Sequence, residues 1–212
     1  MVNEVLNKTN QAFINNNLDS DIHTLLLKNH KNNEIDIKLL IEQIESKKRC
    51  LNKLPTWYKS KNIYYPNRIS IEQTSSEITA AYKANIISGN TLIDLTGGFG
   101  VDSYYFSKQF KTVIHCEIDK DLSEIVTHNY DILNITNIKC LNEDGISYLK
   151  KSKLQYDWIY ADPSRRHMKK GKVFKLDDCL PNIPENIENI LEKTINLLIK
   201  TSPLLDLSIG IK

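Results

Sequence analysis

Two hydrophobic patterns divide this chain of 212 residues. Up to about residue 65, apolar side chains recur at every third or fourth position, as on one face of an amphipathic helix. From residue 91 onward, short apolar runs alternate with amphipathic stretches, which is typical of parallel strands connected by helices. We therefore predict an α/β fold preceded by a helical region, with domains that span residues 1–72 and 73–212.

The helical region contains two predicted amphipathic helices. Their apolar positions are Leu18, Ile22, Leu25 and Leu26 in the first, and Ile37, Leu40, Ile41 and Ile44 in the second. We expect Asp19 or Ser20 to cap the first helix, because short polar side chains accept from the free N–H groups there. The second helix is expected to end at Leu54-Pro55, since proline cannot continue it.

A further helix is predicted immediately before the first strand. Thr74-Ser75-Ser76-Glu77 has the spacing of a capping box, in which Thr74 and Glu77 satisfy each other's end of the helix. The apolar positions at helical spacing predict its buried face, which comprises Ile78, Ala81, Tyr82 and Ile86.

Strands and helices alternate over the rest of the chain. The predicted strands are 91–95, 112–117, 137–141, 156–161 and 196–201. The predicted helices lie near 101–109, 120–131, 145–151 and 185–196. The stretch 165–182 has little periodicity and is predicted to be a long loop.

Composition narrows the class of protein. The formal net charge is +2, so any preference for nucleic acid must be local. No apolar run approaches the roughly 20 residues of a membrane helix, and the N-terminus shows no secretory signal. The four cysteines match neither a zinc nor a disulfide spacing. We predict a cytoplasmic protein with no metal and no membrane contact, and we leave its oligomeric state open.

The stretch Thr91–Gly100 carries the clearest signal for ligand binding. An apolar strand ends at Asp94 and leads into a glycine-rich turn. Glycines let the backbone approach a ligand closely, and the next helix points free N–H groups toward it. After Gly98 and Gly100, a dinucleotide fingerprint needs a third glycine where Ser103 stands. The turn instead resembles motif I of class I S-adenosylmethionine-dependent methyltransferases.

This resemblance assigns cofactor-binding roles at the ends of the first three strands. Asp94 would serve the cationic amino-acid end of the cofactor. Glu117, about 20 residues beyond the glycines, would accept from both ribose hydroxyls, with Asp119 as the alternative. Asp144 would accept from the adenine amino group, while Ile118 packs on the ring. The remaining predicted cofactor residues lie in the turns: Thr96, Gly97, Gly98, Gly100 and Gly145.

A second motif, Asp162-Pro163-Ser164-Arg165-Arg166, follows the fourth strand. Amino-group methyltransferases carry Asp-Pro-Pro-Tyr or a relative here, where the carboxylate and a proline-directed carbonyl align the target amine with the methyl group. Ser164 and Arg165 occupy the region of the usual aromatic residue, although a guanidinium can also stack on a base. We predict Asp162, Pro163 and Arg165 as the catalytic residues.

A basic loop next to this motif is predicted to contact the phosphates of a nucleic-acid substrate. Its predicted contact residues are Arg166, Lys169, Lys170 and Lys172. The alternative interpretation is a solvated loop without a partner. Cys179 is a weak candidate for attack on a pyrimidine carbon, because the neighbouring acids would raise its pKa.

Several segments together resemble one bacterial family of class I methyltransferases. They are Lys53–Trp57, Ser75–Glu77, Tyr82–Ala84, Asp94–Asp102, Asp162–Arg166 and Ser202–Asp206. The family combines a helical N-terminal region, a Rossmann-like catalytic domain and a THUMP-like, ferredoxin-type C-terminal domain. We expect this chain to be a fragment that lacks the last domain and the closing strands of the sheet. Such a fragment can bind the cofactor and still be inactive.

The family resemblance implies S-adenosylmethionine as cofactor and, through the THUMP-like domain, RNA as substrate. We therefore predict an S-adenosylmethionine-dependent RNA methyltransferase, with an exocyclic amine of a base favoured as acceptor. A non-catalytic RNA-binding or assembly module with the same fold is the first alternative. A nucleotide-dependent oxidoreductase is the second, and the missing third glycine disfavours it.

Overall fold

The computed structural model describes residues 2–28, 36–164, 166–167, 171–172 and 175–202. The strands in these ranges are β1 Gly89–Asp94, β2 Phe110–Cys116, β3 Ile138–Leu141, β4 Trp158–Ala161, β5 Arg166–His167, β6 Gly171–Lys172 and β7 Leu197–Ile199. The short β5 and β6 form an antiparallel hairpin, and the other five form one parallel sheet in the order β3-β2-β1-β4-β7. The predicted strands and the α/β fold are confirmed. The expected absence of closing strands concerns residues outside the described ranges and stays a prediction.

Helices in the described ranges fall into two groups. Those before the sheet are α1 Val2–Val5, α2 Lys8–Asn16, α3 Ile22–Lys28, α4 Ile37–Lys53, α5 Pro55–Lys59, α6 Arg68–Gln73 and α7 Glu77–Asn85. Those between the strands are α8 Val101–Phe106, α9 Lys120–Ile132, α10 Gly145–Lys151 and α11 Ile183–Leu191. A short 3₁₀ turn at Leu176–Asp178 interrupts the predicted loop.

Alternate residues of the central strands pack on opposite faces of the sheet, as the pleat requires. On one face, Ile93 and Ile159 share a core with residues of α10 and α11. On the other face, Leu92 and Tyr160 pack with residues of α7 and α8. The sheet is therefore buried on both sides, and its free ends are where a ligand can bind.

The predicted cap of the first helix is wrong by one or two residues. Asp21 Oδ2 accepts from the Thr24 N–H at 2.8 Å, so Asp21 caps α3. Ser20 instead donates its hydroxyl to Asn17 Oδ1, and Asp19 lies in the turn after α2. The second helix, α4, ends at Lys53, immediately before Leu54-Pro55, as predicted.

The predictions for α7 are wrong in both cap and buried face. Ser76, rather than Thr74, accepts from the Thr79 N–H, at 3.2 Å. Glu77 turns inward and accepts from Thr56 and Tyr105 instead of closing a capping box. Glu77 and other polar residues of this helix have buried partners, so the side that carries them faces the interior and the predicted apolar side faces solvent. Three residues of the predicted buried face are exposed, namely Ile78, Tyr82 and Ile86. The fourth, Ala81, is half-buried.

Trp57 connects the helical region to the sheet domain. Its ring is fully buried and lies 6.1 Å from the Phe99 ring and 4.9 Å from the Tyr104 ring. The N-terminal helices therefore share a core with the segment that follows β1. The division at residue 72 stays a prediction. Among the described residues, no helix is both long enough and apolar enough to cross a membrane.

Candidate functional site

A cavity of about 870 Å³ opens at the carboxyl ends of the parallel strands. The sheet order reverses beside β1, since the chain passes to β2 and β3 on one side and to β4 and β7 on the other. Open α/β sheets bind their ligands at such a switch point. The predicted site residues that line the cavity are Thr96, Gly97, Gly98, Glu117, Ile118, Asp144, Gly145, Asp162 and Pro163.

The glycine turn after β1 depends on two glycines for different reasons. Gly100 has φ 78°, in the left-handed region that disfavours other residues. Gly97 lies against the buried His115 ring, and a Cβ there would fall 2.3 Å from His115 Nε2. Burial lowers the pKa of His115 to about 4, so this ring is a neutral packing surface beneath the turn.

Asp94 supports the turn from behind and is absent from the cavity wall. Its side chain is fully buried, and its two oxygens accept from the Thr96 N–H at 3.0 Å and from the Ser103 hydroxyl at 2.7 Å. Burial raises the pKa of Asp94 to about 7. Gly100 also lies off the wall, so the structure does not bring these two predicted cofactor residues to the cavity surface.

Glu117 and Asp119 both reach the cavity after β2. Glu117 accepts from the Gly98 N–H at 2.8 Å and from the Asp119 N–H at 2.7 Å, and burial raises the pKa of the Glu117 carboxyl. Asp119 is exposed and caps α9 by accepting from the Leu122 N–H at 3.0 Å. Ile118, between these acids, leaves 73% of its surface exposed beside the cavity.

Asp144 and Gly145 line the cavity after β3. Asp144 caps α10, since its Oδ2 accepts from the Ser147 N–H at 2.7 Å. Gly145 lies so close to β1 that a Cβ there would fall 2.4 Å from the carbonyl oxygen of Leu95. The third strand end is therefore packed directly against the glycine turn.

Asp162 follows β4 and reaches the cavity opposite the acids of β2. Its backbone N–H donates to the Thr96 hydroxyl at 2.7 Å, which ties this motif to the glycine turn. Its carboxylate forms an ion pair with Lys200, which also lines the cavity. Burial raises the pKa of Asp162, and Lys200 opposes that rise. Sequence reasoning missed Lys200, although its position at the end of the neighbouring strand was a usable signal.

The basic loop is only partly described. Arg166 and Lys172 are paired through the backbone of the β5–β6 hairpin, and their side chains fall outside the described part. Arg165, Lys169 and Lys170 lie outside the described residues altogether. Their predicted contacts with a base and with phosphates therefore stay predictions.

A buried polar cluster behind the cavity was not predicted. Lys83 Nζ lies 2.5 Å from Asp102 Oδ2, and it also donates to the Tyr160 hydroxyl at 2.7 Å and to Ser75 Oγ at 3.0 Å. Tyr160 and Ser75 donate in turn to the same Asp102 oxygen. Asp102 lines the cavity, and its other oxygen, Oδ1, is buried with no partner among the described residues. The one signal for Asp102 in the sequence was its position, two residues after Gly100, the last glycine of the turn.

The thiols offer little nucleophilic chemistry. Cys179 is buried, bonds through Sγ to the Lys175 carbonyl at 3.4 Å and does not line the cavity. Cys116 is the thiol on the wall formed by described residues, and burial raises its pKa. Within the described ranges, no cluster of three histidine, cysteine or acidic side chains has the arrangement of a metal site.

No protein-family model matches this sequence. The chain is 27% identical, over 150 residues and 68% of its length, to a Mycoplasma mobile protein described as an uncharacterized RNA methyltransferase. A Prochlorococcus marinus protein with the same description is 31% identical over 101 residues, or 46% of this chain. These alignments cover 41% and 24% of the two curated relatives, so the chain spans less than half of their length.

A solved structure extends the likeness to nearly the whole chain. It is that of a Porphyromonas gingivalis protein proposed to be a methyltransferase, with 29% identity and a TM-score of 0.77. The match covers 97% of this chain and 50% of that one. The absence of a THUMP-like domain, which the family resemblance implies for this chain, is not tested by this match and stays a prediction. By its strand order, its glycine turn and this likeness, the chain has the Rossmann-like α/β fold of class I methyltransferases.

Proposed function

We propose that this chain binds S-adenosylmethionine beside the glycine turn and transfers its methyl group to RNA. The observation that carries this proposal is one cavity with the glycine turn, Glu117, Asp144 and Asp162 on its wall. These groups come from four strand ends, where open α/β sheets bind nucleotides. The descriptions of the similar proteins as methyltransferases support the same assignment.

The wall residues match the chemical groups of the nucleoside. Glu117 would accept from the ribose hydroxyls, since Asp119 is exposed and already caps α9. Asp144 would accept from the adenine amino group, and the exposed Ile118 side chain would pack on the ring. Asp94 and Gly100 would stabilise the conformation of the glycine turn without contacting the cofactor. The rest of the cofactor would contact the backbone of the turn residues on the wall, which are Thr96, Gly97, Gly98 and Gly145.

The unpartnered oxygen of Asp102 would bind the cofactor's ammonium group. A buried carboxylate oxygen without a donor is costly, and a cationic ligand removes that cost. Asp94, which the sequence suggested for this role, has donors on both oxygens and lies behind the turn. When bound, the cofactor supplies an electrophilic methyl group on a sulfonium, and Asp162 would hold the acceptor in line with it.

RNA is proposed as the substrate because two relatives are described as RNA methyltransferases. The sequence motif favours an exocyclic amine as the methyl acceptor. Its N–H groups would donate to the Asp162 carboxylate and to the backbone carbonyl directed by Pro163. Arg165 would stack on the base. The basic loop would contact the phosphates of RNA, so RNA binding should weaken as the salt concentration rises. The contact residues would be Arg166, Lys169, Lys170 and Lys172.

Calorimetric titration tests the cofactor assignment. We expect S-adenosylhomocysteine to bind and NADH to give no heat. In the double variant Lys83→Met/Asp102→Asn, which leaves no buried lysine charge without its partner, we expect affinity for S-adenosylhomocysteine to fall about tenfold, through loss of one charged contact. Affinity for 5′-methylthioadenosine, which lacks the amino-acid end, should stay unchanged in the same variant. NADH binding, or a folded chain that ignores S-adenosylhomocysteine, would contradict the proposal.

The non-catalytic alternative makes a different prediction for the same protein. An RNA-binding module would bind RNA with strong salt dependence and without any effect of S-adenosylhomocysteine. Anisotropy titrations of RNA at two salt concentrations, with and without S-adenosylhomocysteine, separate the two functions.

A further inference from the structure

The ion pair between Lys200 and Asp162 lies on the cavity wall at two neighbouring strand ends. Ala161 of β4 pairs in parallel with Ile199 of β7, so the residues that follow them emerge at the same edge of the sheet. The two side chains remain 30% and 28% exposed, respectively. A ligand in the cavity can therefore contact both members of the pair.

The hydrogen-bonding capacity of this pair distinguishes two classes of acceptor. An exocyclic amine must offer its N–H groups to acceptors while its lone pair points at the methyl group. A lysine ammonium has donors only, so Lys200 would compete for that lone pair. A hydroxyl donates once and has two lone pairs. With Asp162 accepting its proton and Lys200 donating to one lone pair, the second lone pair is free to attack.

Among the described residues, the cavity wall also presents no exposed aromatic side chain for a flipped base. Phe99 is the aromatic residue among the described residues that line the cavity, and it is 3% exposed. Enzymes that modify bases extrude the base and stack it on such side chains. A ribose hydroxyl lies on the nucleic-acid backbone and needs no extruded base.

We propose that the methyl acceptor is a ribose 2′-hydroxyl of RNA, which donates to Asp162 and accepts from Lys200. This inference rests on the proposed function, methyl transfer from S-adenosylmethionine to RNA, and replaces the exocyclic amine that the sequence motif favours with a hydroxyl as the acceptor. The hydroxyl oxygen attacks the methyl carbon, and the O–C bond forms as the C–S bond breaks, which leaves the electron pair on sulfur. The hydroxyl proton passes to the Asp162 carboxylate and then to water. The products are 2′-O-methylated RNA, S-adenosylhomocysteine and a proton.

Two further charged groups act on Asp162 from the helices behind it. Burial has the largest effect on the pKa of Asp162 and raises it, and Lys200 lowers it. Of the two further groups, Lys83 of α7 lowers this pKa and Asp102 of α8 raises it. A carboxylate with a raised pKa is a better proton acceptor near neutral pH than an ordinary aspartate. The geometry and the proton chemistry therefore agree.

The identity of the methylated product tests the inference directly. The chain is incubated with tritium-labelled S-adenosylmethionine and total bacterial RNA, which is then digested to nucleosides and separated with mass detection. We expect the label in 2′-O-methylnucleosides. Label in base-methylated nucleosides would overturn the inference and leave the proposed function standing. Failure to bind S-adenosylhomocysteine in calorimetry would overturn the proposed function itself.

A binding experiment tests the same contact without turnover. Fluorescence anisotropy compares one short single-stranded sequence as RNA and as DNA, in the presence of S-adenosylhomocysteine. We expect the wild type to prefer RNA by about threefold to tenfold, the strength of one hydrogen bond. Lys200→Met should remove this preference by weakening RNA binding alone, and Lys200→Arg should keep part of it.

Lys153 provides the matched control, because it is an exposed lysine away from the cavity wall. We expect Lys153→Met to leave both affinities unchanged. If Lys200→Met weakens RNA and DNA binding equally, Lys200 is a phosphate contact and the inference is wrong. Equal affinity of the wild type for RNA and DNA would overturn it as well.

Discussion

The acids on the two sides of the cavity are held by different kinds of partner. On the side proposed to hold the adenosine, Asp119 accepts from the Leu122 N–H at 3.0 Å and Asp144 from the Ser147 N–H at 2.7 Å. Each of these acids caps the helix that begins next to it. Asp102 and Asp162 pair instead with lysines from other elements. The first set is fixed by local backbone, and the second by the tertiary fold.

The two ion pairs also differ from each other in depth. Lys83 and Asp102 have side chains 8% and 10% exposed, whereas Lys200 and Asp162 are 30% and 28% exposed. Breaking a buried pair leaves an uncompensated charge away from water, which is far costlier than breaking an accessible one. We infer that the inner pair supports the wall and that the outer pair is available to a ligand.

Removing the inner lysine is expected to have the largest effect. Lys83→Met should lower the free energy of unfolding by about 3–5 kcal/mol, because it leaves the Asp102 charge buried and unpaired. Lys200→Met should lower it by about 1 kcal/mol or less, since its partner stays partly hydrated. Urea denaturation measures both. The double variant Lys83→Met/Asp102→Asn should regain part of the loss, and equal losses for the two single variants would erase the distinction in depth.

The outer acid is expected to affect transfer rather than binding of the cofactor. Asp162→Ala should lower the rate of methyl transfer to RNA by about 100-fold or more, because no carboxylate is left to take the proton of the RNA group that is methylated. Affinity for S-adenosylhomocysteine should stay within about tenfold, since the proposed cofactor contacts lie across the cavity. Radiolabel transfer and calorimetry give the two values. If cofactor binding disappears instead, Asp162 is a cofactor or folding residue.

Asp94 should give the chain a pH-dependent stability. Burial raises the pKa of Asp94 from 3.8 to about 7, so the folded state holds a proton that the unfolded state releases between these values. This contribution is fully present below pH 3.8 and is lost as the pH rises through about 7. Asp94→Asn should therefore lose less stability than the wild type over this range. Parallel slopes of unfolding free energy against pH would show that Asp94 does not titrate this way.

The two acids after β2 should respond differently to neutralisation. Glu117→Gln should lower affinity for S-adenosylhomocysteine about tenfold, through loss of a charged acceptor for the ribose hydroxyls. Asp119→Asn should change it little, because asparagine also caps helices and Asp119 is proposed to lack a ribose contact. Calorimetry on both variants decides between them, and the reverse ranking would assign the ribose to Asp119.

The local cap at Asp144 is expected to give the smallest change in stability. Asp144→Ala should cost about 1 kcal/mol, since the Ser147 N–H loses its acceptor at the start of α10. Asp144→Asn should keep most of that stability, because asparagine is an equally good cap. Urea denaturation of the two variants provides the comparison, and equal losses would mean that the charge matters more than the cap.

The α7 helix shows where the sequence pattern misleads. Helical spacing marked Ile78, Tyr82 and Ile86 as buried, yet the structure exposes them. The helix turns its polar side inward because Lys83 meets Asp102, and Glu77 meets Thr56 and Tyr105. Periodicity identifies an apolar face, but it does not say which neighbour that face will meet.

The sequence by itself determined the alternation of strands and helices, the glycine turn and the acids at the strand ends. These features depend on residues only a few positions apart, so their spacing carries the information. The tertiary structure alone decided that Asp94 lies behind the turn and that Lys83 and Lys200 pair with acids 19 and 38 residues away. The Lys200–Asp162 pair forms because the parallel register of β4 and β7 brings their ends together, and the Lys83–Asp102 pair forms because α7 packs on α8. Burial makes an unpaired charge costly in both places. Neither condition can be recognised from the spacing of residues that are close together in the sequence.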